Sequence, residues 1–166
     1  GLDSFEGESF HSARWNDDVD LTGKRVGVIG TGSTAAQIVG EVGPSVGHLS
    51  VFQRTPQWMA PLPQKTYSDR WKRFVKTFPV VQTALYYFYY WFMSSRIGGA
   101  VLGDEKAHAR LATACENNLE RNISDPDLRA KLTPDYKAAC KRIVICSSFY
   151  PAISADNADL VTEGIE

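Results

Sequence analysis

The chain has 166 residues, 18 of them Lys or Arg against 19 Asp or Glu, for a net charge of −1, and 43% are hydrophobic. That is enough for one domain with a proper core, or one domain carrying an insertion. Balanced charge argues against nucleic acid as a partner.

The three cysteines, Cys115, Cys140 and Cys146, show neither C-x-x-C pairing nor a zinc spacing. A scattered, odd set reads as reduced, mostly buried thiols and points to a cytoplasmic setting. The chain opens at Gly1 without a Met or a signal-peptide pattern. It closes at Glu166, just past the strand-like "ADLVTEGI". Both ends are expected to continue into something longer.

Near the start stands "FEGESFHSARWN", residues 5–16, which carries no helix or strand periodicity. On residue chemistry alone, its His11 reads as a structural loop histidine. The turn "LTGK" then leads into "KRVGVI" (24–29), a short β-rich run. "STAAQIVGEV" (33–42) has helical spacing, with Ala35, Ile38, Val39 and Val42 on one face, and Gly43–Pro44 stops it. "HLSVFQ" (48–53) is a second strand. Strand, glycine turn, helix and strand within about thirty residues make a βαβ unit with the usual right-handed crossover.

The turn itself, "GTGSTA", places Gly30, Gly32 and Ala35 in the spacing G-x-G-x-x-[GA], with Thr31, Ser33 and Thr34 between them. Gly30 permits the tight turn, Gly32 lets a pyrophosphate approach the backbone, and small Ala35 lets helix pack on strand. The helix N-terminus offers unpaired N–H groups and the positive dipole end. With strand before and helix after, the pattern predicts dinucleotide binding rather than a bare turn.

The end of the second strand selects which dinucleotide. An NAD site places Asp or Glu there for the ribose 2′-OH; this chain has Gln53, Arg54 and Thr55. A guanidinium forks onto phosphate oxygens and a threonine hydroxyl adds a donor. NADPH is therefore expected over NADH. The alternative for Arg54 is a solvated loop arginine.

From Tyr67 to about Lys131 the alternation disappears, and helices are predicted near 68–77, 79–96, 104–122 and 125–131. Within them "ALYYFYYWFM" holds seven consecutive aromatics, Tyr86 to Phe92, preceded by Arg70, Lys72, Arg73 and Lys76. Such a run covers every side of a helix. It reads as a helix buried between parts of a larger protein, as a peripheral membrane contact through 78–94, or as a dimer contact. A spanning helix is not expected, because the apolar stretch is short and holds Gln82 and Thr83.

The β signal returns in "RIVIC" (142–146) and "ADLVT" (158–162). The predicted fold is α/β, a Rossmann-like parallel sheet interrupted by a helical insertion. Its parts are a linker (1–22), the first part of the nucleotide domain (23–65), the insertion (66–131) and the remainder of the domain (132–166). Lys141 and Arg142 stand at the mouth of the later strand, where neighbouring side chains point to opposite faces. Spacing alone favours a solvated strand entrance.

Taken together, these motifs resemble type I Baeyer–Villiger monooxygenases and the wider flavin-containing monooxygenases. "FEGESFHSARW" is similar to the fingerprint F-x-G-x-x-x-H-x-x-x-W-[P/D], matched at Phe5, Gly7, His11 and Trp15; "VFQRTPQW" and "LTPDYKAACKRIVI" resemble the same family. The resemblance covers about 1–60 and 131–166 and weakens across the insertion. Asn16 departs from the pattern, where the family has Pro or Asp, and this leaves N- and S-oxidising relatives as alternatives. Trp15 leans toward the Baeyer–Villiger group.

The resemblance implies FAD and NADPH as cofactors, and O2 and a small-molecule ketone as substrates, with one oxygen atom inserted beside the carbonyl. It assigns Arg142 to stabilising negative charge during oxygenation, and Lys141, Arg54 and Thr55 to the 2′-phosphate. It places His11 in an interdomain linker that couples NADPH position to the flavin. The family carries two glycine loops and this chain one, so the FAD site is expected to lie mostly outside it. A non-catalytic NADP(H)-binding module is the other reading. A short-chain dehydrogenase is set aside, because no Tyr-x-x-x-Lys occurs.

Overall fold

The computed structural model describes residues 4–62, 66–138, 140–141 and 143–165. Three parallel strands form the main sheet: β1 (Arg25–Ile29), β2 (His48–Phe52) and β5 (Ala158–Val161), in the order β1-β2-β5. β2 is central, and its Leu49 and Val51 are fully buried. Val28 pairs with Val51, and Val51 with Leu160, so branched side chains align across all three strands. The crossover from β1 to β2 is α1 (Ser33–Val42), as the spacing predicts.

The buried face of α1 differs from the predicted one. Ala36 and Val39 are fully buried, whereas Ala35, Ile38 and Val42 are only half-buried. The reason is α7 (Phe149–Ile153), which packs along α1. A Cβ on Gly40 would lie 2.6 Å from Ser148 Cβ, and one on Gly43 would lie 3.2 Å from Ala152 Cβ. These glycines pull the contact face toward Ala36, Gly40 and Gly43.

The helical region follows the periodicity closely: α2 (Asp69–Thr77), α3 (Pro79–Met93), α4 (Gly99–Val101), α5 (Glu105–Asn122) and α6 (Pro126–Leu132). A π-helical turn, Ser94–Gly98, joins α3 to α4. Each start has its local cause. Ser68, Asp104 and Asp125 cap α2, α5 and α6 by accepting first-turn N–H groups, and Pro79 and Pro126 open α3 and α6.

Of the two later β runs, the one at 158–162 joins the main sheet as β5, and the one at 142–146 does not. β4 (Val144–Ile145) pairs in parallel with β3 (Met59–Ala60), a two-residue strand that alternation could not reveal. The expected single sheet is therefore two. The small ladder ties the segment leaving β2 to the segment returning from the helices, and buried Asn118 of α5 donates to Met59 C=O at 3.0 Å. Leu119, Ile123 and Leu132 from α5 and α6 enter the same core cluster as Val39, Leu49 and Phe149. By contrast, α2 and α3 contain no buried residue. Among the described residues no helix is long and apolar enough to cross a membrane.

Candidate functional site

The carboxyl ends of β1, β2 and β5 open onto a cleft of about 680 Å³, which is where parallel α/β sheets take their ligands. Its floor is the glycine turn. Gly30 has φ +104°, which a side chain would strain, and its N–H donates to Phe52 C=O at 2.9 Å, holding the turn beside β2. Gly32 caps α1 without a side-chain bond, and the first intrahelical bond runs from Ala36 N–H to Gly32 C=O. The N–H groups of Ser33, Thr34 and Ala35 therefore stand at an open helix start with no acid in the first turn. A Cβ built on Gly30 or Gly32 meets nothing within 4 Å, so the space above the turn is free for a bulky anion.

The wall of the cleft is the loop after β2. Gln53 is buried, and its Nε2 donates to Lys131 C=O at 2.8 Å. That turns it into the body of the protein and leaves Arg54 as the first outward group. Thr31 is also buried, and its hydroxyl donates to Thr55 C=O at 3.0 Å. This cross-brace ties the glycine turn to the Arg54–Thr55 loop. Thr31, expected as a cofactor contact, thus spends its hydroxyl on positioning.

Lys141 reaches the same cleft from 87 residues beyond Arg54 in the sequence. It lies in a bend before β4, so strand alternation does not govern its direction, contrary to the expectation for Lys141. Its Nζ sits 4.2 Å from the centroid of the Tyr136 ring. Arg142 lies outside the described residues. Arg54 and Lys141 bring two cations to the cleft, and Glu163 is the acid among its lining residues. Glu163 follows β5, and its carboxylate accepts from Thr162 N–H at 3.1 Å. It does not stand at the end of β2, where an acid would receive a ribose 2′-OH.

Sequence reasoning missed Gln57, Thr162 and Glu163 as lining residues. The last two follow a parallel strand, and the carboxyl-end rule alone could have found them.

The fingerprint residues lie elsewhere: Phe5, Gly7, His11 and Trp15 do not line the cleft. Phe5 folds over Gly7, where a Cβ would lie 2.6 Å from the ring. His11 caps the short 3-10 turn Ser12–Arg14, its Nδ1 accepting from Ala13 N–H at 3.1 Å, and Trp15 meets Phe10 edge-on at 5.1 Å. Phe5 and Trp15 remain substantially exposed.

No protein-family model matches the chain. A Baeyer–Villiger monooxygenase from Pseudomonas aeruginosa is 42% identical over 167 residues, covering 99% of this chain and 31% of that protein. The chain is homologous to the Baeyer–Villiger monooxygenases. Among solved structures, cyclohexanone monooxygenase from Rhodococcus sp. Phi1 bound to NADP+ superimposes with a TM-score of 0.77 at 28% identity, over 97% of this chain and 36% of that one. OTEMO in complex with FAD and NADP gives 0.74 at 28% identity, over 97% of this chain and 38% of that one. The chain thus spans about a third of the length of the relatives it matches.

Proposed function

We propose that this chain is the NADPH-binding portion of an FAD-dependent Baeyer–Villiger-type monooxygenase that inserts one atom of O2 beside the carbonyl of a small ketone. The observation that carries the proposal is the cleft itself. An open helix start and two side-chain-free glycines face Arg54, Thr55 and Lys141, with no acid at the end of β2. The first-turn N–H groups of Ser33, Thr34 and Ala35 take the pyrophosphate, and Gly32 allows its approach. Arg54 and Lys141 take the 2′-phosphate, with the Thr55 hydroxyl beside them. NADPH held there would supply the hydride that reduces the flavin.

The described residues contain one glycine turn of this kind, between β1 and α1, and do not build a flavin site. The FAD site is assigned to the part of the relatives' length that this chain does not span. Arg142, next in sequence to cleft-lining Lys141, is assigned to stabilising negative charge on the oxygenated adduct. Phe5, Gly7, His11 and Trp15 are assigned to the linker. The division at 22, 65 and 131 is retained. The test is product analysis with the flavin-binding portion present: NADPH-dependent ester or lactone from a cyclic ketone is expected. Oxidation of amines or sulfides alone would move the protein to the heteroatom-oxidising relatives.

A second reading concerns where the protein sits. Trp71 and Phe74 stack at 5.6 Å, and Phe78 adjoins at 5.0 Å, making one exposed apolar stripe on α2. By helical spacing Arg70 borders that stripe, Lys72 and Arg73 lie further round on either side, and Lys76 stands opposite. Tyr86–Trp91 of α3 are exposed beside it. Four cations against the single acid Asp69, in a chain of net charge −1, complement an anionic lipid surface. A helix of 15 residues is about 22 Å long, short of the bilayer core, so the contact is peripheral. Sedimentation with phosphatidylserine vesicles, lost at high salt and in an Arg70→Glu/Lys72→Glu variant, is expected. A dimer, or no sedimentation, would refute lipid contact.

A further inference from the structure

Arg54 and Lys141 come to the cleft on two segments some 80 residues apart, and one side chain touches both segments. Tyr136 donates its hydroxyl to Gln57 Oε1 at 3.0 Å or to Pro56 C=O at 3.3 Å. Its backbone carbonyl accepts from Trp58 Nε1–H at 2.7 Å. Its ring carries the Lys141 ammonium at 4.2 Å from the centroid. Tyr136 is half-buried against the small core of Trp58, Ala60, Cys115 and Ala138, which holds the ring in place.

We propose that Tyr136 is a positioning residue for cofactor selection: its hydroxyl anchors the loop that bears Arg54 and Thr55, and its ring face parks Lys141 at the cleft. This rests on the reading of the cleft as an NADPH site. The chemistry of the three contacts fits the role. A cation over a half-buried ring is held more weakly than by charge-assisted bonds to a phosphate, so the ring stations the ammonium without competing for it once the phosphate arrives. In the empty cleft two cations face the same space, and the negative face of the ring offsets part of their repulsion. The hydroxyl works on the other segment. Pro56 and Gln57 directly follow Thr55, so fixing them limits how far the Arg54 guanidinium wanders. Each contact favours the ligand that carries a 2′-phosphate and is indifferent to one that lacks it.

Two variants separate the contacts. Tyr136→Phe keeps the ring under Lys141 and removes the hydroxyl anchor. Tyr136→Leu removes both. NADP+ and NAD+ are titrated against the chain by calorimetry at low and moderate salt, with thermal unfolding as the check on folding. Tyr136→Leu is expected to weaken NADP+ about tenfold and to flatten the salt dependence of its binding, leaving NAD+ unchanged. Tyr136→Phe is expected to weaken NADP+ about threefold and to keep the salt dependence. Equal losses for both cofactors, or none for NADP+, would overturn the proposal. If Tyr136→Leu does not fold, the Phe variant decides alone, because its ring and packing are intact. A wild-type chain without preference for NADP+ would instead overturn the reading of the cleft, so the two failures are distinguishable.

Discussion

Replacing Gly32 by Ala separates what the fold needs from what the ligand needs. Gly32 has φ −69° and ψ 175°, a conformation any residue adopts, and a Cβ there meets no atom within 4 Å. Two small effects on stability oppose each other. Alanine narrows the unfolded ensemble, worth about 0.4–1 kcal/mol in favour of the fold. It is also a poorer N-cap than glycine by a similar amount, roughly 0.5–1 kcal/mol. The net change is expected within about 0.5 kcal/mol of zero. The ligand fares differently. The new methyl occupies the space where the pyrophosphate approaches α1, and overpacking of that kind costs about 1–3 kcal/mol, roughly 5- to 150-fold in affinity. Thermal unfolding followed by circular dichroism reads the first effect, and fluorescence titration with NADPH reads the second. A Gly32→Ala chain as stable as wild type that binds NADPH equally well would refute close approach at this turn. A chain that unfolds would show that the glycine serves the backbone instead.

Three further outcomes follow from the same geometry. Arg54→Ala is expected to weaken NADPH by about 1–3 kcal/mol, the worth of a charge-assisted bond, and to leave NADH unchanged; equal losses in a calorimetric comparison would remove Arg54 from the 2′-phosphate. Gly40→Ala is expected to destabilise by about 1–3 kcal/mol, because its Cβ would press on Ser148, and Ser148→Gly should restore part of the loss; an unchanged melting temperature would contradict the α1–α7 contact. Burial, with a smaller contribution from the Glu116 charge, raises the Cys115 thiol from 9.0 to about 11. The fold thus favours the neutral thiol, so this contribution to stability is complete below pH 9 and fades as pH rises toward 11. Cys115→Ala should show a shallower loss of stability over that range in urea titrations, and an identical slope would refute the linkage.

Much of this fold was legible because local signals and packing agree. The α5 segment shows the agreement best: Asp104 caps it, its apolar residues recur at helical spacing, and Ala107, Cys115 and Leu119 are buried together with Asn118. The glycine turn was readable because Gly30 is held to a positive φ and β-rich runs flank α1. What stayed hidden depends on distant segments. Met59–Ala60 is a strand only because Val144–Ile145 returns to pair with it, and two residues carry no periodicity. The buried face of α1 was misplaced because α7 selects it through Gly40 and Gly43, and "FYPAI" shows no helical signal of its own. At the cleft, the cations of Arg54 and Lys141 could be read from sequence, but the brace from Thr31 to Thr55 and the station of Lys141 on Tyr136 could not. Those contacts exist only once the chain has folded back on itself.

The measurement that tests the account most directly is a calorimetric titration of the chain with NADP+ and NAD+ at two salt concentrations. The account predicts that NADP+ binds at least about tenfold more tightly, as one charge-assisted phosphate contact requires, with the gap narrowing as salt rises. Equal affinity for the two, or a preference for NAD+, would contradict a 2′-phosphate site built from Arg54, Thr55 and Lys141.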